Sequence, residues 1–166
     1  VGVDVGVVVT LPDRHHDPTP VGVRAVHCGL HQRRVDDRLG DPFRLRPVAG
    51  DVEFGRQIVG LRDEFVYTGE PFDVAAMRAM RERQLRHLVT AGTFNAKFSP
   101  GGAVDIEYLV QGLQINHGHA NPALRLTNTR EAMAALAQTG ILAENDYDRL
   151  REAHIFIRRL VNALRM

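Results

Sequence analysis

The chain has 166 residues, 44% of them hydrophobic, with 21 basic and 20 acidic side chains and a formal net charge of +1 at pH 7. That length suffices for one domain with a real core, and the charge balance excludes a field strong enough to select nucleic acid or an anionic membrane. The single cysteine, Cys28, excludes an intrachain disulfide, and no membrane-length apolar run or secretory leader is evident, so a reducing cytoplasm is the expected setting.

Val1 to Pro42 open with a valine-rich run, then mix Pro, Asp, His, Arg and Gly with few large apolar residues. Val5–Thr10 suits a strand, and Leu11 to Pro42 is expected to be loop or disorder. From Asp51 the pattern turns helical. Asp51 caps a first helix whose Phe54, Ile58, Leu61 and Phe65 recur at steps of three or four, which predicts an inward apolar face ending at Gly69-Glu70-Pro71. Asp73 caps a second helix with Val74, Met77, Met80, Leu85 and Leu88 on or near one side, closed before Gly92.

A third helix is expected straight after Ser99, with Ser99 as N-cap and Pro100 in the first helical position. Ile106, Leu109, Val110 and Leu113 fall on one side of it and Val104, Tyr108 and Ile115 on another, which predicts a central helix. Glu107, Gln111 and Gln114 form a polar strip between them, and His117 to Pro122 form a loop. A fourth, short helix runs from about Thr129 to Thr139, capped by Asn128 or Thr129, with Met133, Leu136 and Ala137 inward. A fifth starts at Asn145, with Leu150, Ala153, Ile157, Leu160, Val161 and Leu164 on one stripe. The expected class is all-α: an antiparallel bundle of about five helices over residues 43–166, after an irregular segment at 1–42.

The segment Lys97 to Gln111 carries most of the functional signal. It holds the chain's single lysine, a Ser-Pro-Gly-Gly helix start and two carboxylates. Glycines at a helix start leave N–H groups uncovered where the dipole is positive, so Lys97, Ser99, Gly101 and Gly102 are candidates for contact with an anion or a neighbouring domain. The competing reading is a capped helix with one solvated lysine. Asp105 and Glu107 lie about 200° apart around the helix and cannot clamp one ion, so Asp105, Glu107 and Gln111 are assigned structural roles, with Glu107 paired to an arginine or to Gln111. No catalytic residue and no metal ligand is assigned. His117 with His119, and His27, Cys28 and His31, do not match the spacing of a four-ligand zinc site. Arg149, Arg151, Arg158, Arg159 and Arg165 are read as the wet face of the last helix.

The words Lys97-Phe98-Ser99-Pro100-Gly101-Gly102 and Asp105-Ile106-Glu107-Tyr108-Leu109-Val110-Gln111 resemble the glutamine synthetase adenylyltransferase family. The likeness continues through His117-Gly118, Leu124-Arg125, Asn128-Thr129, Gly140-Ile141-Leu142 and the closing His154-Ile155-Phe156-Ile157-Arg158-Arg159-Leu160. Upstream, Arg46-Pro47-Val48-Ala49-Gly50-Asp51 is similar to the start of the same helical unit. The resemblance implies a cytoplasmic enzyme that adds AMP to a tyrosine of glutamine synthetase and removes it, under control of PII and glutamine, using ATP and Mg2+. It implies that this chain is the helical domain after a nucleotidyltransferase domain, with glutamine synthetase, PII and that domain as partners. The same helical unit in PII uridylyltransferases and a free-standing helical interaction module are the alternatives.

Two departures qualify the resemblance. The family's acidic catalytic motif does not precede Phe43, and the Arg-Leu-Arg-Pro letters at 44–47 run directly into the helical unit, so they receive no catalytic role. Residues 1–42 are therefore expected to be diverged or frame-shifted. The chain also stops at Arg165-Met166, where the family continues, so a fragment without nucleotidyl transfer of its own, and with no cofactor bound, is expected.

Overall fold

Among the described residues, three of the five α-helices begin where a side chain accepts their first amides, and two begin without such a cap. The computed structural model describes Phe43 and residues 45–164; the strand expected at Val5–Thr10, the irregular Leu11–Pro42, and His27, Cys28 and His31 lie outside the described residues. Among the described residues there are five α-helices and no strand: α1 Val52–Val66, α2 Val74–Leu88, α3 Ala103–Gly118, α4 Thr129–Gln138 and α5 Glu144–Ala163, with a 3-10 turn Pro122–Leu124 between α3 and α4. Asp51, Asp73 and Asn128 cap α1, α2 and α4 as expected, each carboxylate or amide oxygen accepting a backbone N–H of the first turn.

The main core lies between α3, α4, α5 and the 3-10 turn. Val110 from α3, Leu124 from the turn, and Met133 and Leu136 from α4 are fully buried, and Ile157 of α5 closes the cluster. After α4, Gly140 takes φ 73°, a left-handed value that glycine adopts without strain. That lets the Ile141 and Leu142 amides both donate to Leu136 O, which ends the helix and drops Leu142 into the core. Gln114, placed by the sequence on a polar strip, is 2% exposed. Its amide donates to Leu124 O and Leu126 O at 2.6 and 2.9 Å, so it ties the 3-10 turn to α3.

A smaller cluster joins α1 to the end of α3. Val66, Tyr67 and Ile115 are buried there, with Phe43 and Phe72 against them. Gly112 and Gly118 make this approach possible. A Cβ on Gly112 would stand 2.8 Å from the Phe72 ring, and one on Gly118 would stand 2.6 Å from the Tyr67 ring.

The structure corrects five boundaries and faces. α3 begins at Ala103 with Gly102 as its N-cap, so Ser99 is not the cap and Pro100 is not the first helical residue. The reason is a turn over residues 96–102 whose carbonyls take the first amides of α3. α3 also continues through His117 and Gly118, which the sequence assigned to a loop. α5 begins one residue early, at Glu144, so Asn145 lies inside the helix. Finally, α1 turns Gly55, Arg62 and Val66 inward, while Phe54, Leu61 and Phe65 of the expected inward stripe are exposed. On α5, Ile157 is buried and Leu150, Leu160 and Val161 are half-buried, but Ala153 and Leu164 are exposed.

Candidate functional site

The motif-bearing segment before α3 folds as a closed joint. Asn95 Oδ1 accepts the Lys97 and Phe98 amides at 3.0 and 3.1 Å, and the Asn95 amide donates to Ser99 Oγ at 2.8 Å. The Ser99 hydroxyl oxygen is thereby engaged inside the turn, and Ser99 is 5% exposed. The chain then doubles back: Gly102 N donates to Ser99 O at 2.8 Å, and Ala103 N and Val104 N donate to Ala96 O and Lys97 O, both at 3.1 Å. Gly101 N donates to Asp105 Oδ2 at 2.7 Å. An anion at this helix start would have to displace Asp105 or a backbone carbonyl, because the glycine amides already have acceptors.

The two glycines meet two different constraints. Gly101 has φ 75°, the left-handed region that a Cβ disfavours. Gly102 has ordinary φ, but a Cβ there would lie 2.8 to 2.9 Å from the carbonyl oxygens of Lys97, Ser99 and Ala96.

From the other side, α2 clamps the joint. Arg81 Nε donates to Asp105 Oδ1 at 2.5 Å and its Nη2 to Ser99 O at 3.0 Å, while Gln84 Nε2 donates to Tyr108 Oη at 2.8 Å. Asp105 thus serves the helix dipole, the Gly101 amide and Arg81 together. Arg81 Nη1 and Gln84 Oε1 are buried without a hydrogen-bond partner among the described residues. Glu107 and Gln111 are half-buried on other sides of α3, and Lys97 is exposed with Nζ 5.0 Å from the Phe98 ring centroid.

A second polar knot holds the end of α1. Arg62, 9% exposed, donates from Nε and Nη2 to Asp63 Oδ1 and from Nη1 to Leu45 O. Arg125 reaches Gly118 O at 2.8 Å and Asp63 Oδ2 at 3.5 Å, and its guanidinium lies 5.2 Å from the Tyr67 ring centroid. Burial pushes the Tyr67 phenol up to about 12. His119 Nδ1 is 3.1 Å from Tyr67 O, while His117 is exposed on the last turn of α3. Among the described residues, no three His, Cys, Asp or Glu side chains are grouped as metal ligands.

The sequence named Asp105, Gly101 and Gly102 and missed their clamp. Arg81 sits 24 residues before Asp105, and nothing local announces the pairing. Asn95 carried a usable signal, since an asparagine two residues before Lys97 is an Asx-turn candidate.

Known proteins supply the family. The model of the family described as GlnD PII-uridylyltransferase matches residues 75–166. A bifunctional glutamine synthetase adenylyltransferase/adenylyl-removing enzyme of Streptomyces avermitilis is 37% identical over 128 residues, covering 74% of this chain. The chain belongs to the glutamine synthetase adenylyltransferase family. Members described in the same words from Mycobacterium leprae and Stenotrophomonas maltophilia strain R551-3 are 33% and 36% identical, over 74% and 75% of this chain. The chain spans only 13% of the Streptomyces and Mycobacterium adenylyltransferases and 14% of the Stenotrophomonas one. No solved structure gives a significant match.

Proposed function

We propose that this chain, from about residue 43 onward, is the helical domain that positions a nucleotidyltransferase domain and its protein substrate in a glutamine synthetase adenylyltransferase. The supporting observation is that the family-like words at Lys97–Gln111 fold into a clamped joint between α2 and α3, with no spare carboxylate pair for chemistry. The relatives' names support AMP transfer to and removal from glutamine synthetase, while control by PII and a cytoplasmic setting rest on the sequence resemblance. No described helix is long and apolar enough to cross a membrane.

ATP and Mg2+ belong to the nucleotidyltransferase part. The described residues do not fit a magnesium-nucleotide site: both oxygens of Asp105 are engaged by Arg81 and Gly101, and Glu107 lies about 200° away around α3. Lys97, exposed beside the joint, is the side chain offered to a neighbouring domain.

The test is AMP incorporation into glutamine synthetase from labelled ATP and Mg2+. The chain alone is expected to give none, and adding it to the separately produced nucleotidyltransferase part of the Streptomyces avermitilis relative is expected to raise the rate. Incorporation by the chain alone, or an unchanged rate on its addition, contradicts the proposal. A second reading, the equivalent domain of a PII uridylyltransferase, is favoured by the match to residues 75–166 and predicts stimulation of UMP transfer to PII instead.

A further inference from the structure

Two of the family-like words, Asn128-Thr129 and His154 to Leu160, take no part in the joint before α3, and the fold brings them together. Residues 139–143 turn α4 back into α5, and the two helices share a core cluster holding Met133, Leu136 and Ile157. Arg130 lies one turn before Met133, His154 one turn before Ile157, and Arg158 one turn after His154. The half-buried His154 and exposed Arg158 thus flank the buried Ile157 on α5, and the exposed Arg130 opposes them from the first turn of α4. Burial first, then the Arg158 and Arg130 charges, hold the His154 imidazole below its usual range, so both guanidinium groups act on the one ring.

No described carboxylate neutralises this cluster. Ion pairs among the described residues engage Arg56, Arg62, Arg81, Arg125 and Arg151, and none engages Arg130 or Arg158. The charges acting on His154 are the two arginines, with no acid among them. The first amides of α4 are already taken by Asn128 Oδ1, so the donors on offer are side chains: two guanidinium forks and an imidazole. Two like charges beside a half-buried ring repel each other, and an oxyanion between them would remove that repulsion while accepting from both forks. A doubly charged anion with three free oxygens matches two fixed charges and three donor groups. Because the Ile157 contact holds α5 against α4, the cluster stands ready before a ligand arrives. We infer that Arg130, His154 and Arg158 form a binding site for a phosphate group, carried as free phosphate or as a phosphate monoester, on the α4–α5 hairpin. The site goes beyond the positioning role proposed above and does not depend on it.

The test titrates inorganic phosphate, and separately glycerol phosphate, into the full 166-residue chain at constant pH and ionic strength, with the His154 imidazole followed by NMR. Saturable shifts of that ring with at least one probe are expected, and the tighter probe identifies the source of the phosphate. Arg130→Gln and Arg158→Gln, both at exposed positions, should keep the helical circular dichroism and each weaken binding about fivefold or more. Arg159→Gln, exposed one residue further around α5, is the control and should leave binding unchanged. Shifts that are absent or fail to saturate with both probes, equal shifts with chloride, or equal weakening by Arg159→Gln would overturn the inference.

Discussion

Gly101 and Gly102 stand side by side and fail for different reasons when given a side chain. Gly101→Ala forces a left-handed alanine and is expected to cost about 1–2 kcal/mol. Gly102→Ala drives a methyl group into three backbone carbonyls that cannot rotate away, for an expected cost of about 1–3 kcal/mol and a displaced α3 start. Urea denaturation of both variants measures these losses, and a Gly102→Ala protein as stable as the parent would contradict the close approach. His154 tests the electrostatics. Burial first, then Arg158 and Arg130, hold its imidazole below the usual 6.5. The unfolded chain therefore binds more protons here than the folded one as pH falls below about 6.5, so stability is fully present above that pH and declines beneath it. His154→Gln should flatten that decline in melting scans between about pH 7.5 and 5; an unchanged slope would exclude His154 as its source.

Among the elements, helix existence was legible in the sequence, and so were the inward Val110, Met133, Leu136 and Ile157, but the facing of α1 was not. Asp51, Asp73 and Asn128 announce helix starts because capping is a contact within one turn. Ser99 looked like such a cap, yet its hydroxyl is spent on Asn95 and its carbonyl on Gly102 and Arg81, contacts that only the folded turn brings together. In α1 the apolar period pointed to Phe54 and Phe65, but Arg62 can face inward because Asp63 and the Leu45 carbonyl satisfy it. Periodicity reports that a helix has an apolar side and not which partner covers it. The energetic consequence is measurable by denaturation. Leu136→Ala, at a fully buried site, should cost about 2–5 kcal/mol, whereas Phe54→Ala should cost about 1 kcal/mol or less. Similar losses at both sites would mean that α1 packs its outer face after all.

The molecule as a whole has two tiers. α3, α4, α5 and the 3-10 turn share the main apolar core, while α1 and α2 are attached by the Tyr67 cluster, the Arg62–Asp63–Arg125 knot and the Arg81–Asp105 clamp. Amides of α3 to α5 should accordingly exchange with solvent only on global unfolding, and those of α1 and α2 by cheaper local opening. The family-like words were legible as a signature because they stand close together in sequence, but their role depends on Arg81 and the carbonyls of residues 96–99. The joint carries the claim that this domain works by holding position. Residue-resolved hydrogen exchange by NMR, with and without added phosphate, tests it most directly. The joint should give slow exchange at Gly102, Ala103 and Val104 and no phosphate-dependent shifts at Gly101 or Gly102. Rapid exchange at those amides, with saturable shifts on adding phosphate, would contradict it and make the glycine turn an anion site.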